Sequence, residues 1–134
     1  MDVLSALVAN HAEIEGDKLY VSGGAWAWLT TATLPQELVV NLALVLADEP
    51  SDDIESVLVR IYVRTPGGAT SYGTELLVKW PKPSDLHPGQ PIVVPVVLFV
   101  PFKASKAGRH SLEVFLDDDG VSRRSVPFAV VWTP

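Results

Sequence analysis

The stretch SVLVRIYVR, Ser56–Arg64, alternates with a period of two. Val57, Val59, Ile61 and Val63 fall on one side, and Leu58, Arg60, Tyr62 and Arg64 on the other. That is the pattern of a β-strand with one buried face and one partly wet face. Similar short runs rich in Val, Leu, Ile and aromatics recur along the chain, separated by prolines and glycines at intervals of about a dozen residues. The pattern predicts eight strands, over about 3–13, 19–30, 37–47, 55–65, 69–80, 91–102, 109–116 and 122–132. The expected fold is an all-β, immunoglobulin-like antiparallel β-sandwich.

Two of these strands break the simple alternation. In the sixth, Ile92, Val93, Val94, Val96, Val97, Leu98, Phe99 and Val100 leave no polar face, so both sides need cover. Pro95 cannot donate to a ladder and points to an edge or a bulge. An apolar edge strand aggregates unless something covers it, and two covers are open: a loop of the same chain, or another subunit.

The second strand, LYVSGGAWAWLT, is interrupted by Gly23 and Gly24 just before Trp26 and Trp28. Residues two apart share a face. Counted straight back, the tryptophans share the face of Tyr20 and Ser22, opposite Leu19 and Val21. A bulge at the glycines reverses this, because one extra residue flips the face. Consecutive glycines gain nothing in a regular strand, which favours the bulge and a core place for Trp26. Trp28 is then the better contact residue. Its flanks, Ser22, Thr30 and Thr31, suit a protein partner more than a sugar ring, for which more Asn, Gln, Asp or Arg would be expected.

At 134 residues the chain is the length of a single domain, 1–134. Hydrophobic residues make up 48% and charged residues 19%, too apolar for disorder. A net charge of -6 repels phosphate backbones and disfavours nucleic acid. The absence of cysteine removes disulfides, thiolate ligands and a cysteine nucleophile together. The N-terminal MDVLSALVANHAEIE lacks a basic region and a cleavage pattern, and PIVVPVVLFVPF is too short to span a membrane. The expectation is a cytoplasmic protein without membrane insertion, with a virion component as the alternative.

EGDKLYVSGGAWAWL, followed by AGRHSLEVFLDDDG and VPFAVV, resembles an uncharacterised family of small bacterial β-sandwich domains. Gly23, Gly24, Trp26, Gly108, Arg109, Asp118, Gly120, Pro127 and Phe128 match its pattern, and His110 stands where an aromatic is usual. The resemblance implies a β-sandwich and carries no activity.

For catalysis, His11, His87 and His110 are the only histidines, and no nucleophile elbow, phosphate-binding glycine loop or H-E-x-x-H pair is present. No enzymatic role and no cofactor are expected. If successive strands alternate in direction, Glu15, Asp52, Asp53, Asp117, Asp118 and Asp119 gather at one end of the sandwich. Clustered carboxylates are weak candidates for calcium, against neutralisation by Lys18, Lys82, Arg123 and Arg124. The sequence therefore supports a non-enzymatic interaction or structural module that self-associates or joins a larger assembly, with Trp26, Trp28, Tyr62, Val97 and Phe99 as contact residues. A module binding carbohydrate or calcium is the alternative.

Overall fold

The computed structural model describes Met1–Pro134. Nine strands form: β1 (Asp2–Glu15), β2 (Lys18–Gly24), β3 (Trp28–Thr31), β4 (Gln36–Asp48), β5 (Ser56–Arg64), β6 (Thr70–Lys79), β7 (Ile92–Ala104), β8 (Gly108–Leu116) and β9 (Arg124–Trp132). A single 3-10 turn, Pro83–Asp85, interrupts the β6–β7 connection. The strands make two packed sheets, a four-stranded sheet in the order β2-β1-β4-β7 and a five-stranded sheet in the order β3-β9-β8-β5-β6. This is the expected all-β, immunoglobulin-like sandwich. All pairings are antiparallel except β3 with β9, which is parallel.

The core lies where the period of two places it. Val40, Leu42, Leu44 and Leu46 of β4 and Ile92, Val96, Leu98 and Val100 of β7 face Val57, Val59, Ile61 and Val63 of β5 and Leu112, Val114 and Leu116 of β8. Burial of these side chains contributes roughly 1.5–3 kcal/mol each. His110 is fully buried here, stacked on Phe128 with centroids 5.6 Å apart, and its Nδ1 meets the Gly108 carbonyl at 3.0 Å. It fills an aromatic's place. Trp80, at the end of β6, is the fully buried tryptophan, and the sequence pattern did not single it out.

The stretch expected as one second strand is two strands in different sheets. β2 runs antiparallel to β1, while β3 runs parallel to β9 in the other sheet, so the chain crosses and reverses over Gly24–Ala27. Neither a straight strand nor a simple bulge describes it. Gly23 takes φ +60 and Ala25 φ 60, and a Cβ at Gly23 would run into the Asn10 side chain. The left-handed backbone and the close approach both require glycine at 23.

The reversal also resets the direction of β1. β1 starts beside Ala47 and runs away from the end where β4 finishes, so its turn, with Glu15, opens towards the opposite end of the sandwich. The expected gathering of acids therefore loses Glu15. The loops after β4, β6 and β8 do share one end, bringing Asp52, Asp53 and Asp117 to one shallow depression.

Part of the outer side of β7, around Val97, is covered by the chain itself. β1 stays beside β4 only from Asp2 to Ala9, then leaves with β2 as a hairpin arm. β2 comes close to β7 although they stand at opposite ends of the sheet order, so the arm folds over the outer face. Beneath it Ala9, Ala12 and Ala43 are buried, with Leu7, Leu19 and Val97 packed around them. Alanines at the contact let the two layers approach closely. Val97, expected as a contact residue, is partly buried and packs against this second cluster. β7 is an edge strand, as Pro95 required.

The crossing at Gly23 generates the first prediction. Gly23→Ala should cost roughly 1–3 kcal/mol through left-handed strain and the Asn10 clash. Urea unfolding measures it. A change below about 0.5 kcal/mol, the range of an ordinary surface substitution, would mean that the backbone is not held as described.

Candidate functional site

The departure of the hairpin arm leaves the first part of β4 paired on one side only. Gln36–Val40 bonds with β7, but β1 has already left at Asn41, and no ladder joins β4 to β3. A cleft of about 610 Å3 opens there. Trp26, Trp28, Leu29 and Thr30 form one wall, Leu38, Val39 and Asn41 of β4 another, and Asn10, Gly23 and Gly24 of the arm the third.

The two tryptophans part company at this cleft. Trp26 precedes β3, is partly buried, and meets Phe128 edge to face with centroids 6.0 Å apart. It plugs the gap between the sheets, and its buried Nε1–H has no acceptor. Trp28 is 62% exposed, as are Val39 and Phe99. Phe99 lies opposite Asn41 and diagonal to Val39 on the same outer face. Trp28 and Val39 thus give the cleft an apolar rim, and Phe99 extends the apolar surface beside Asn41 on the same outer face. Val39 was not singled out by the sequence pattern, because alternation assigns it an outward face without showing that the neighbouring strand is missing.

Tyr62 lies on the other sheet, far from this rim. It stands between Tyr72, at 6.0 Å, and Phe115, at 5.4 Å, both edge to face. Arg60, Arg64, Glu113 and Asp118 surround this aromatic row, in a groove of about 320 Å3. Arg60 donates to Asp118 at 3.0 Å and lies 3.7 Å from Glu75. The bond to Asp118 raises the Arg60 pKa. Tyr72 donates to Glu75 at 2.9 Å, and its pKa is raised, first by partial desolvation and then by that bond. Glu113 is buried, with Ser111, Ser122 and Arg64 around its carboxylate. The five expected contact residues therefore divide among the cleft, the second cluster and the opposite face.

The acidic turn after β8 is engaged residue by residue. Asp117 Oδ1 accepts the Leu58 N–H, Asp118 takes Arg60, and Asp119 accepts from Arg123 Nε at 2.8 Å and from the Val121 N–H at 3.1 Å. Arg124, expected among these acids, instead donates to the carbonyls of Val3 and Leu4. No three His, Asp or Glu side chains stand together as a metal site would need. Of the histidines, His11 lies 3.8 Å from Glu13, and His110 is enclosed by Phe102 and Phe128.

Compared with protein-family models, characterised proteins and solved structures, the chain matches none. The functional reading rests on the geometry alone.

Two predictions follow from these placements. Trp26→Ala removes a plug between the sheets and should cost about 3 kcal/mol, at the lower end for a buried aromatic, whereas Trp28→Ala should change stability by less than about 1 kcal/mol. Chemical denaturation of the two variants compares them directly, and equal losses would contradict the division. The second concerns Asp119, whose pKa is lowered from 3.8, first by the Val121 N–H and then by Arg123. A depressed folded pKa stabilises above the unfolded value and the benefit is lost as pH falls through the folded one. Asp119→Asn should therefore lower Tm at neutral pH, and the gap should begin to narrow near pH 3.8 and close only as pH falls through the lower folded pKa. A Tm gap that persists unchanged at the lowest pH would count against this role.

Proposed function

We propose that this protein is a non-enzymatic interaction module of a larger assembly, and that it docks an extended segment of a partner protein in the cleft beside β4. The observation that supports this best is the one-sided pairing of Gln36–Val40 next to Trp28, Val39 and Phe99. A free strand edge offers main-chain donors and acceptors in a row, and adjacent aromatic side chains supply apolar anchorage. Exposed Trp is enriched among the residues that dominate binding energy. The occupant is an extended chain with apolar side chains, since the rim is apolar and the polar side chains of the lining are uncharged, those of Asn10, Thr30 and Asn41.

Those amides favour one second reading. Asn10, Asn41 and Thr30 flank Trp28 in space, which supplies polar partners of the kind a sugar ring needs. One of the two N–H donors of Asn41 Nδ2 is already given to the Asn10 carbonyl, at 2.8 Å, and this ranks carbohydrate below protein. Titration of tryptophan fluorescence with oligosaccharides distinguishes them: saturable quenching lost in Trp28→Ala would favour the sugar.

The docking itself is tested with a photo-crosslinking amino acid placed at Val39 in the native host. The expected result is an adduct with another protein, absent when the same group replaces Lys106 and reduced at least about tenfold by Trp28→Ala, as for an anchor residue. Adduct yields at 39 no higher than at 106 would overturn the proposal.

A further inference from the structure

Sandwich edges are templates for pairing with another chain unless they are blunted. β7 carries Pro95 and Pro101, which share one parity in a ladder continuous from Ile92 to Ala104. Their missing N–H groups therefore fall in the row that points away from β4. β3 has only 4 residues, and β2 ends in two glycines. β6 differs. It runs 10 residues without proline at the edge of the five-stranded sheet.

The phase of the β6 ladder is fixed by two bonds. The Trp80 N–H donates to the Glu55 carbonyl at 2.9 Å, so Trp80, Val78 and Leu76 bond inwards to β5. Leu58, opposite Leu77, gives its own groups to Asp117 on the β8 side. The N–H and C=O of Glu75, Leu77 and Lys79 consequently point out from the free edge. Leu77 is 65% exposed on the outer face, and Leu76, on the core face, is still 42% exposed. Gly73 forms the bulge that presses β6 against β7, where a Cβ would lie 2.8 Å from Val100 Cγ1 and 2.9 Å from the Ile61 carbonyl. The stretch beyond it, Glu75–Lys79, is the open part.

We infer that two copies of this chain join antiparallel through β6, about a two-fold axis at Leu77. In that register Leu77 faces its own copy, Glu75 faces Lys79 of the other copy, and Leu76 faces Val78 of the other copy. All three outward-pointing residues enter hydrogen-bonded pairs, which only one parity of register allows. Opposite charges meet twice, and Lys79, which has no ion-pair partner within its own chain, gains one. The contact is isologous and closed, so it yields a dimer with one continuous ten-stranded sheet. Pro81 ends the pairing, because an outward residue without an N–H cannot extend the ladder.

The full chain tests this by sedimentation equilibrium at micromolar concentrations and above. Wild type should be a dimer, and Leu77→Lys, which places two cations on the axis, should weaken it at least about tenfold with an unchanged circular dichroism spectrum. Glu75→Lys and Lys79→Glu should each be monomers alone, since the register then opposes like charges. Mixed in equal amounts they should form a heterodimer, because each variant's pair of charges complements the other's. A monomeric wild type overturns the inference, as does a dimer that survives Leu77→Lys, or two single variants that stay apart on mixing. The cross-link at position 39 is read separately, so either proposal can fail alone.

Discussion

The crossing at Gly23–Ala27 is the constraint on which the remaining architecture depends. There one continuous run of β-forming residues is divided between two sheets, and its direction is reversed. Left-handed backbone at Gly23 and Ala25 makes the reversal within a few residues. Gly23 tolerates that conformation, and Ala25 is held in it by a bond from its N–H to the Val8 carbonyl at 2.7 Å. Once the chain has crossed, Trp26 falls between the sheets, Trp28 falls outside them, and β3 must run parallel to β9. The cleft beside β4 exists because β1, with β2, leaves β4 beyond Ala9.

The same departure resolves the problem of an apolar strand with no polar face. β7 has one side in the main core, and part of its other side lies beneath the hairpin arm, where Ala9, Ala12 and Ala43 leave room for a second layer. The arm cannot cover the whole face, since it is anchored by its register with β1 and its strand β2 is only 7 residues long. Val93 and Phe99 stay exposed for that reason. The apolar composition thus serves a core, a cover and a residual surface, in that order of burial.

Period-two alternation made most of the fold legible. β5 is placed to within a residue, with its inner valines and outer arginines as expected, because both neighbours are antiparallel and the one inserted residue, Gly73, lies on β6. β4, β8 and β9 were legible for the same reason, and β7 as an apolar run set off by turn residues. Local pattern could not reveal the reversal at Gly24–Ala27, since Leu19–Thr30 alternates acceptably as one strand and only tertiary pairing divides it. That single error carried Glu15 to the wrong end of the sandwich. It also hid Val39, whose exposure depends on a missing neighbour. Trp26 is partly buried and Trp28 exposed, a division made by a change of sheet and not by the expected bulge. Trp80 was overlooked because it stands beside proline in a stretch that reads as loop, while its N–H still belongs to the β5 ladder.

Charge then limits which surfaces can meet. A chain with net charge -6 repels its own copies at long range, and the repulsion is only partly screened at physiological salt. Contact between copies is favourable only where local charges complement one another or are already neutralised. At the end bearing Asp117, Asp118 and Asp119, arginines and backbone N–H groups within the chain occupy the carboxylates, so few basic groups there are left to attract another acidic copy. The cleft rim carries almost no charge, which admits an apolar partner without a desolvation penalty for ions. β6 carries one acid and one base four residues apart on the same outward row. A two-fold axis between them converts that spacing into complementarity, and a parallel arrangement in register would oppose each charge to its like. Polarity of the strands, more than apolar area, therefore selects the antiparallel contact.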